Sequence, residues 1–464
     1  MTTTNKKNEA ETIIKKGTHN YTREELYVKP QEELLQQRLE WFSDQKLGLM
    51  IHWGPYTQIG TISWAMSDED SHWSREFLGE DWQGTGEEFR EIYFALNKTF
   101  NPVFFDPAKW ADLALDNGFK YLNFTTKHHD GFSMWDTKAS DYKITGADTP
   151  FHTNKNADVT KRLFEEFRAR GLGIAAYFSK ADWHVPSYWA PNMERGTYTA
   201  RGPSYNPLEH PELWEQFVQF THQQMMELVA DNGEIDMLWL DGGWVRAAHN
   251  QDIRLGEFVE KARKVNPSLL VVDRTAGGKY ENILTPEQRI PADVIHVPWE
   301  SNITLGSKFS YRYDDVYKSY RELVIMLIDV VAKGGNLALN VAPRADGRLP
   351  QPSVNQIKAI GAWLKIHGEA IYATRPCAPY FDGDVYFTRK ENIVYGFKVY
   401  RNGDEQLQEK IVLPYEGRIV AVDLLGGESN LPFEVTDAGV VVTLPSVELD
   451  KEVPYAHVFR LTLS

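Results

Sequence analysis

The chain has one cysteine, no long apolar run and no excess of positive charge. Cys377 is the only cysteine among 464 residues, which excludes an intrachain disulfide and a cysteine-based metal site. The most apolar stretch, residues 323–332, contains Asp329 and is too short to span a membrane. A net charge of −15 argues against a nucleic-acid partner, which needs a basic face. We therefore expect a globular protein with neither a membrane nor a nucleic-acid partner.

The N-terminal residues 1–19 are polar and charged, without the apolar core of a secretory signal. As written, the chain is expected in the cytoplasm. If a signal segment has been removed, the periplasm or the cell exterior is expected instead.

Aromatic residues are abundant, with 14 Trp, 22 Tyr and 23 Phe making up 13% of the chain. Core packing accounts for most of them. Sugar-binding sites also use such rings, because the C–H face of a pyranose stacks on an aromatic surface.

Short apolar runs alternate with helical patterns over most of the chain. Strands are predicted at residues 47–53, 121–126, 172–178, 237–241, 269–273, 295–298 and 336–341, with helices at 107–117, 159–170, 212–230, 253–265, 317–332 and 354–367. This alternation predicts a parallel sheet. Seven candidate strands favour an α/β fold built on a TIM-like (β/α) barrel, closed or slightly irregular.

The pattern changes near residue 374, where short strands between Gly, Asp and Asn turns predict a C-terminal antiparallel β-sandwich. We therefore expect three parts. They are an N-terminal arm at residues 1–28, disordered or loosely docked, a catalytic barrel at 29–373 and the sandwich at 374–464.

Asp241 ends one of the predicted buried strands and is followed by two glycines, in the run Met-Leu-Trp-Leu-Asp-Gly-Gly at 237–243. A strand this apolar is covered on both faces, as in an α/β barrel. Such barrels place catalytic groups at the carboxyl ends of their strands. The alternative is a carboxylate that caps the next helix.

Other predicted strand ends carry polar or aromatic groups as well. They are His52-Trp53-Gly54, Lys127-His128-His129-Asp130-Gly131-Phe132, Tyr177 with Trp183, Trp239 with Asp241, Asp273-Arg274, and Trp299-Glu300. A parallel barrel brings these ends to one face. Packing alone does not require His, Arg, Asp and Glu at successive strand ends, so the set predicts a functional site.

His128 and His129, with Asp130, are candidate metal ligands. Adjacent residues of a strand point to opposite faces, so such a pair is a poor chelator. Hydrogen bonds to sugar hydroxyls and a role as satisfied core histidines are the alternatives, and no metal is expected. Arg274 either pairs with neighbouring Asp273 or serves a catalytic carboxylate or the substrate, which its place at the barrel mouth favours.

Asp241 and Glu300 then stand on different strand ends with aromatic residues between them. Glycoside hydrolysis needs such a pair of carboxyl groups. One donates a proton to the leaving oxygen, and the other attacks the anomeric carbon or activates water.

These motifs resemble glycoside hydrolase family 29, the α-L-fucosidases. The resemblance is carried by His52-Trp53-Gly54, the Lys127–Phe132 run with Trp135, Trp239-Leu240-Asp241-Gly242, Trp299-Glu300 with Phe309-Ser310-Tyr311, Gly334-Gly335-Asn336, and Leu339-Asn340-Val341 with Pro343 and Asp346-Gly347. It spans residues 41–373, nearly the whole predicted barrel, and the C-terminal β domain also matches in kind.

The resemblance implies an exo-acting retaining α-L-fucosidase that acts on fucosylated oligosaccharides or glycoconjugates and requires no cofactor. It implies that Asp241 is the nucleophile and Glu300 the acid/base. It further implies that the fucose is held or enclosed by His52, His128, His129, Tyr177, Trp239 and Arg274.

One position departs from the family. Many members carry a Glu-Trp pair after the first strand, whereas this chain has Ser63-Trp64 and then the acidic run Ser67-Asp68-Glu69-Asp70. Trp64 is expected to keep the aromatic role. The acidic run either replaces the glutamate or is a solvated loop.

Two other functions are compatible with the sequence. An exo-glycosidase for α-L-galactosides would use the same ring stereochemistry, and an apolar pocket rejects the added hydroxyl by only about 10²-fold. A glycan-binding protein that has lost catalysis is the other, although both proposed carboxylates are present.

Overall fold

In a computed structural model, the protein is described over residues 21–464 except for 68–69, 77, 79–85, 194–200, 402 and 404–405. Ten α-helices are found there: α1 Glu33–Gln45, α2 Ser71–Ser74, α3 Gly86–Phe94, α4 Pro107–Asp116, α5 Val159–Ala169, α6 Pro211–Ala230, α7 Leu255–Val265, α8 Tyr320–Ala332, α9 Gln351–His367 and α10 Ser446–Leu449. The first seven strands are β1 Leu47–Ile51, β2 Tyr121–Lys127, β3 Gly173–Ser179, β4 Met237–Asp241, β5 Leu270–Asp273, β6 Glu300–Thr304 and β7 Asn336–Val341.

These seven strands form one parallel sheet in the order β5-β4-β3-β2-β1-β7-β6. Nearly every strand residue is buried, because the crossover helices cover the outer face and the strands curl around a shared interior. The predicted α/β architecture with an irregular TIM-like barrel is thereby confirmed. The predicted helix after Asp106 is also found, with the Asp106 side chain accepting the Lys109 N–H as an N-cap.

The strand predicted at residues 295–298 is wrong, because the chain enters β6 only at Glu300. An irregular segment, residues 281–288, runs between β5 and β6 instead. It makes an antiparallel bridge from Glu281 to Val272 and two parallel bridges, from Leu284 to Trp299 and from Glu287 to Asn302. Pro286 lacks an N–H for a ladder, which explains why this segment is not a regular strand.

Helix α1 covers the amino ends of the strands. Leu35, Leu39 and Phe42 face the barrel interior, where the Phe42 ring lies 5.9 Å from that of Tyr121. The amide of Asn336, the first residue of β7, donates to the Phe42 carbonyl at 2.7 Å. The barrel is thus closed at this end, and its carboxyl end is the open one.

The expectation of a loosely docked arm is wrong for its described part. Tyr21 and Thr22 are buried, and the Thr22 hydroxyl donates to Glu281 at 2.6 Å. Tyr27 forms a bridge with Gly278 and donates to the Asn282 carbonyl. Residues 1–20 of the predicted arm lie outside the described residues.

After the barrel, antiparallel strands form a sandwich, as predicted: β8 Arg375–Asp382, β9 Val385–Lys390, β10 Ile393–Val399, β11 Lys410–Leu413, β12 Ile419–Leu424, β13 Phe433–Thr436, β14 Gly439–Thr443 and β15 Ala456–Leu463. A five-stranded sheet, β12-β15-β10-β9-β8, packs against a three-stranded sheet, β11-β14-β13. Its other face joins the barrel core through Tyr386, Phe397 and Val458. The exact boundary at 373/374 stays a prediction.

Among the described residues, the structure contains no helix whose length and apolarity would allow it to cross a membrane.

Candidate active site

The carboxyl ends of the parallel strands open into a cavity of about 930 Å³. Seven of the nine predicted site residues line it: His52, Trp64, His128, Tyr177, Trp239, Asp241 and Arg274. The strands end at one level of the fold, and their sequence-distant side chains meet there. His129 and Glu300 are not among the lining residues.

Asp241 ends β4, where its carboxylate accepts three hydrogen bonds. The Tyr177 hydroxyl donates to Oδ2 at 2.6 Å, while Arg274 and the Gly242 N–H donate to Oδ1 at 3.1 and 2.8 Å. Burial by itself raises the pKa of this carboxyl. The positive charge of Arg274 and the hydrogen bond from Tyr177 outweigh burial and hold the pKa well below its usual range. Asp241 is therefore ionised at neutral pH.

Two cavity histidines are held neutral by their surroundings. The His52 Nδ1–H donates to Asn340 Oδ1 at 2.7 Å, and His128 Nδ1 is hydrogen-bonded to Ser63 Oγ at 2.5 Å. Burial lowers the pKa of His52 to about 4 and that of His128 well below 6.5. With Nδ1–H used for Asn340, His52 Nε2 is an acceptor for a hydroxyl proton.

His129 stands behind the cavity wall, beside Asp241. Ser179 donates its own hydroxyl hydrogen to the Ala181 carbonyl at 2.7 Å, so its oxygen accepts the His129 Nδ1–H at 2.6 Å. Burial lowers the pKa of His129 to about 4, which leaves Nε2 as an acceptor. This atom has no hydrogen-bond partner among the described residues and lies 3.8 Å from Asp241 Oδ2. A buried acceptor in this position is suited to a hydroxyl that enters with a ligand.

His128, His129 and Asp241 place possible ligand atoms within 4.8 Å of one another. The expectation that the two histidines diverge is wrong, because β2 ends at Lys127 and the two rings then lie 4.2 Å apart, centroid to centroid. However, each Nδ1 is already bonded to a hydroxyl, and Arg274 holds Asp241. A cation would therefore have to sit close to a guanidinium. That no metal binds here stays a prediction.

Aromatic rings form much of the cavity wall. Tyr177 stacks on Trp239 with 5.2 Å between ring centres, and Phe309 packs 4.8 Å from His52. Trp64 packs edge-on against His129 at 4.7 Å and lies 5.7 Å from Trp244. The side chains that hydrogen-bond Asp241 are thus fixed by packing as well as by polar contacts.

Arg274 joins Asp241 to a second carboxylate of the cavity, Glu287. One terminal nitrogen of the guanidinium donates to Asp241 Oδ1, and the other pairs with Glu287 Oε2. Asp273, the other candidate partner of Arg274, pairs instead with Lys180 at 2.5 Å. Because one guanidinium spans both carboxylates, Asp241 and Glu287 lie close together across the cavity.

Glu300 lies at the opposite end of the sheet from Asp241. It begins β6 rather than ending a strand, and it accepts the hydroxyl hydrogen of Tyr121, the first residue of β2, at 2.5 Å. Tyr121 pairs with Gly173 of β3, and Asp241 pairs with Ser179 of the same strand. Ser179 lies six residues, or about 20 Å, further along β3 than Gly173. The structure therefore does not bring Glu300 to the cavity.

The environment of Glu300 is that of an interior polar group. Burial raises its pKa to about 7, although the side-chain donors of Tyr121, Trp239 and Asn123 lower it. Its Oε1 has no hydrogen-bond partner among the described residues within normal geometry. Glu300 is buried, and the indole that contributes to its surroundings belongs to Trp239, a residue of the cavity wall.

Sequence reasoning missed several residues that line the cavity, chiefly Glu287, Trp73 and Arg201. Glu287 lies in the same β5–β6 connection as Arg274, which could have indicated that the two side chains are close. Pro286 argues against a strand at this point, so the strand-like segment was not predicted. Of the acidic run after Trp64, Asp70 is buried and lines the cavity. Asp68 and Glu69 lie outside the described residues.

Comparison with known proteins gives one family. The family model for alpha-L-fucosidase matches residues 14–369. An alpha-L-fucosidase of Dictyostelium discoideum is 25% identical over 460 residues, covering 91% of this chain and 92% of that protein.

Solved structures agree with this result. Alpha-L-fucosidase isoenzyme 1 from Paenibacillus thiaminolyticus superposes with a TM-score of 0.75 at 28% identity, covering 93% of this chain and 100% of that one. The alpha-fucosidase of Thermotoga maritima in complex with fucose gives 0.72 at 27% identity, covering 94% and 100%. With its family model matched over most of its length, the chain belongs to the α-L-fucosidase family of glycoside hydrolases.

Proposed function

We propose that the protein hydrolyses terminal α-L-fucosides of oligosaccharides or glycoconjugates with retention of configuration. The observation that carries this proposal is the ionised Asp241, linked through Arg274 to a second carboxylate in a cavity rich in aromatic rings. Retaining glycosidases need two close carboxyl groups, about 5–5.5 Å apart. The relatives are α-L-fucosidases, and one neighbour is a complex with fucose, which favours fucosides over galactosides.

In the proposed reaction, Asp241 attacks the anomeric carbon of the terminal sugar and forms a glycosyl-enzyme. A second carboxyl group, the acid/base, gives the leaving oxygen a proton as the bond between that oxygen and the anomeric carbon breaks. The acid/base then deprotonates a water molecule, which releases the sugar and restores Asp241. Arg274 and Tyr177 keep Asp241 charged and oriented for attack.

The sugar is held by hydroxyl acceptors and rings in this proposal. His52 and His128, which line the cavity, and Nε2 of His129 behind them accept or share hydroxyl protons. Tyr177, Trp239 and Trp64 enclose the ring. The closed inner end of the cavity suits a terminal residue rather than the middle of a chain. No cofactor is needed for these steps.

Glu287, rather than Glu300, is the acid/base of this proposal. Glu287 lines the cavity and is linked to Asp241 by one guanidinium, whereas Glu300 is enclosed at the amino end of the sheet. Glu287 lies near the end of the irregular segment 281–288 and itself forms a bridge with Asn302 of β6. In this proposal it takes the role that the sequence analysis gave to Glu300.

The nucleophile is tested with Asp241→Gly. Turnover of an aryl α-L-fucoside should be lost with the fold intact, because the substitution removes the attacking carboxylate. Added azide should restore part of the turnover and yield β-fucosyl azide. Aryl α-L-galactoside and β-fucoside are the control substrates for the wild-type protein. Activity of the variant within about tenfold of wild type contradicts the role of Asp241.

The acid/base is tested by comparing Glu287→Ala with Glu300→Ala. General acid catalysis is worth about 10²–10⁴-fold, and a poor leaving group depends on it most. Glu287→Ala should therefore slow an oligosaccharide fucoside far more than a nitrophenyl fucoside, with azide yielding α-fucosyl azide. Glu300→Ala should slow both substrates to the same extent, with no azide product. The reverse pattern would return the role to Glu300.

A further inference from the structure

One exposed hydrophobic side chain borders the cavity away from Asp241. Trp73, on α2, lines the cavity and is 39% exposed. Among the described residues, no other exposed large hydrophobic side chain lines it. An indole left open to solvent on the wall of a ligand cavity is a binding surface rather than a part of the core.

Trp73 is held in place by an ion pair between the buried Asp70 and the partly exposed Arg201. Its indole N–H donates to Asp70 Oδ1 at 3.1 Å. Asp70 is only 4% exposed and receives two hydrogen bonds from Arg201, at 3.0 Å to Oδ2 and 2.7 Å to Oδ1. This bidentate geometry is the strong form of an Arg–carboxylate pair. The orientation of Trp73 is thus set by a carboxylate that cannot move freely.

The same ion pair ties Trp73 to the proposed fucose site. The guanidinium carbon of Arg201 lies 4.7 Å from the centre of the Trp64 ring, a cation–π distance. Trp64 in turn packs on His129, next to Asp241. The contacts form a continuous path from the nucleophile to Trp73, so the two surfaces have a fixed relative position.

We propose that Trp73 is the platform of a second subsite, which binds the pyranose ring to which the fucose is attached. This inference rests on the proposed function and adds the residue that binds the leaving group, a sugar ring rather than a small alcohol. The cavity, at about 930 Å³, is near the upper end of the roughly 300–1,000 Å³ of pockets for drug-sized ligands. A monosaccharide leaves part of it empty. A rigid aromatic surface binds a second ring at little entropic cost.

The subsite is tested with two substrates that share the fucose and differ in leaving group, fucosyllactose and methyl α-L-fucoside. Trp73→Ala should lower kcat/KM for fucosyllactose by about tenfold and leave that for methyl fucoside within about twofold. Trp73→Phe keeps a ring and should recover most of the loss. Asp70→Asn weakens the ion pair that orients Trp73. It should therefore also lower kcat/KM for fucosyllactose more than that for methyl fucoside. Tyr313→Ala, at a 92% exposed aromatic outside the cavity, is the control and should change neither substrate.

The outcomes separate the two proposals. Equal loss on both substrates, or no loss on fucosyllactose with Trp73→Ala, overturns the second subsite and leaves the proposed function standing. A wild-type protein that cleaves neither fucoside contradicts the proposed function, and the subsite falls with it. Thermal unfolding of each variant, matched to wild type, shows that a selective loss is not caused by misfolding.

Discussion

The surroundings of two acidic residues of the barrel interior shift their pKa values in opposite directions. Asp241 meets a guanidinium, a phenol and a backbone N–H, and its pKa falls well below the usual range. Glu300 meets neutral donors only, and burial raises its pKa to about 7. The difference follows from one cation, Arg274, which lies within reach of Asp241 and not of Glu300. In the proposed mechanism only Asp241 needs a permanent charge.

The raised pKa of Glu300 predicts how stability depends on pH. The folded-state pKa of about 7 exceeds the ordinary value of 4.5. The contribution of Glu300 to the free energy of unfolding is therefore fully present below about pH 4.5 and is lost as pH rises through about 7. Glu300→Gln carries no charge and should gain stability relative to wild type between pH 5 and pH 8, by as much as about 3 kcal/mol.

Urea unfolding at the two pH values measures this difference. Glu434→Gln, on the exposed edge strand β13, is the control and should give the same difference from wild type at both. A Glu300→Gln variant whose difference from wild type shrinks as pH rises would show that Glu300 is already ionised when buried.

At the scale of elements, a buried ion pair holds the loop after β3 against the end of β2. Lys127 Nζ contacts Asp182 Oδ2 at 3.0 Å and Gln224 of α6 at 2.9 Å. Asp182 also accepts the N–H groups of His184 and Val185. Gly131 is required here, because its φ is +81° and an added Cβ would lie 2.3 Å from Asp182 Oδ1. The Lys-His-His-Asp-Gly-Phe motif is thus as much a joint between elements as a source of site residues.

Removing the cation of this joint should be costly. Lys127→Met leaves the Asp182 carboxylate buried without its charged partner, which typically costs about 3–5 kcal/mol. The free energy of unfolding in urea measures the loss. Lys109→Met breaks the exposed Lys109–Asp106 pair and is the matched control, worth less than about 1 kcal/mol. Similar losses in the two variants would show that the Lys127 pair is solvated in solution.

The elements that sequence predicted well are those with a single strong pattern. β4 and β7 have the predicted ends, because a glycine stands next to one end of each strand: Gly242 follows β4 and Gly335 precedes β7. The segment 281–288 and β8 were missed, since prolines at 286, 376 and 379 argue against strands. The proposed acid/base differs from the predicted one for the same reason. Asp241 ends a regular strand, whereas Glu287 lies in an irregular segment whose proline argues against a strand.

Across the whole molecule, the barrel and the sandwich share a packed and hydrogen-bonded boundary. Arg321 of α8 donates to the carbonyls of Tyr400, Pro454 and Val453 at 2.7, 2.7 and 3.1 Å. Beside it, Tyr386, Phe397 and Val458 join the barrel core. The sandwich is therefore part of the folded unit of the barrel rather than a tethered module, although none of its described residues lines the cavity.

Arg321→Ala tests this boundary. The three carbonyls lose a charged donor, and hydrogen bonds to charged groups contribute about 1.5–3 kcal/mol. The thermal midpoint should fall by several degrees, while kcat/KM on an aryl fucoside stays close to wild type. Arg162→Ala, which breaks an exposed i,i+3 pair with Glu165, should lower the midpoint by much less. A loss of activity without a loss of stability would indicate that the boundary controls the cavity.

The break in the sheet between β5 and β6 gives the two proposed catalytic carboxylates supports of unequal stiffness. Asp241 ends β4, a strand that is hydrogen-bonded to β3 on one side and to β5 on the other. Glu287 lies in the irregular segment 281–288, which is joined to β6 by a few isolated backbone hydrogen bonds. A nucleophile meets the same carbon in both halves of a retaining reaction, whereas the acid/base must serve a departing sugar and then a water. In the proposed reaction, the more flexible support therefore belongs to Glu287, the carboxylate that acts first on the leaving sugar and then on a water molecule.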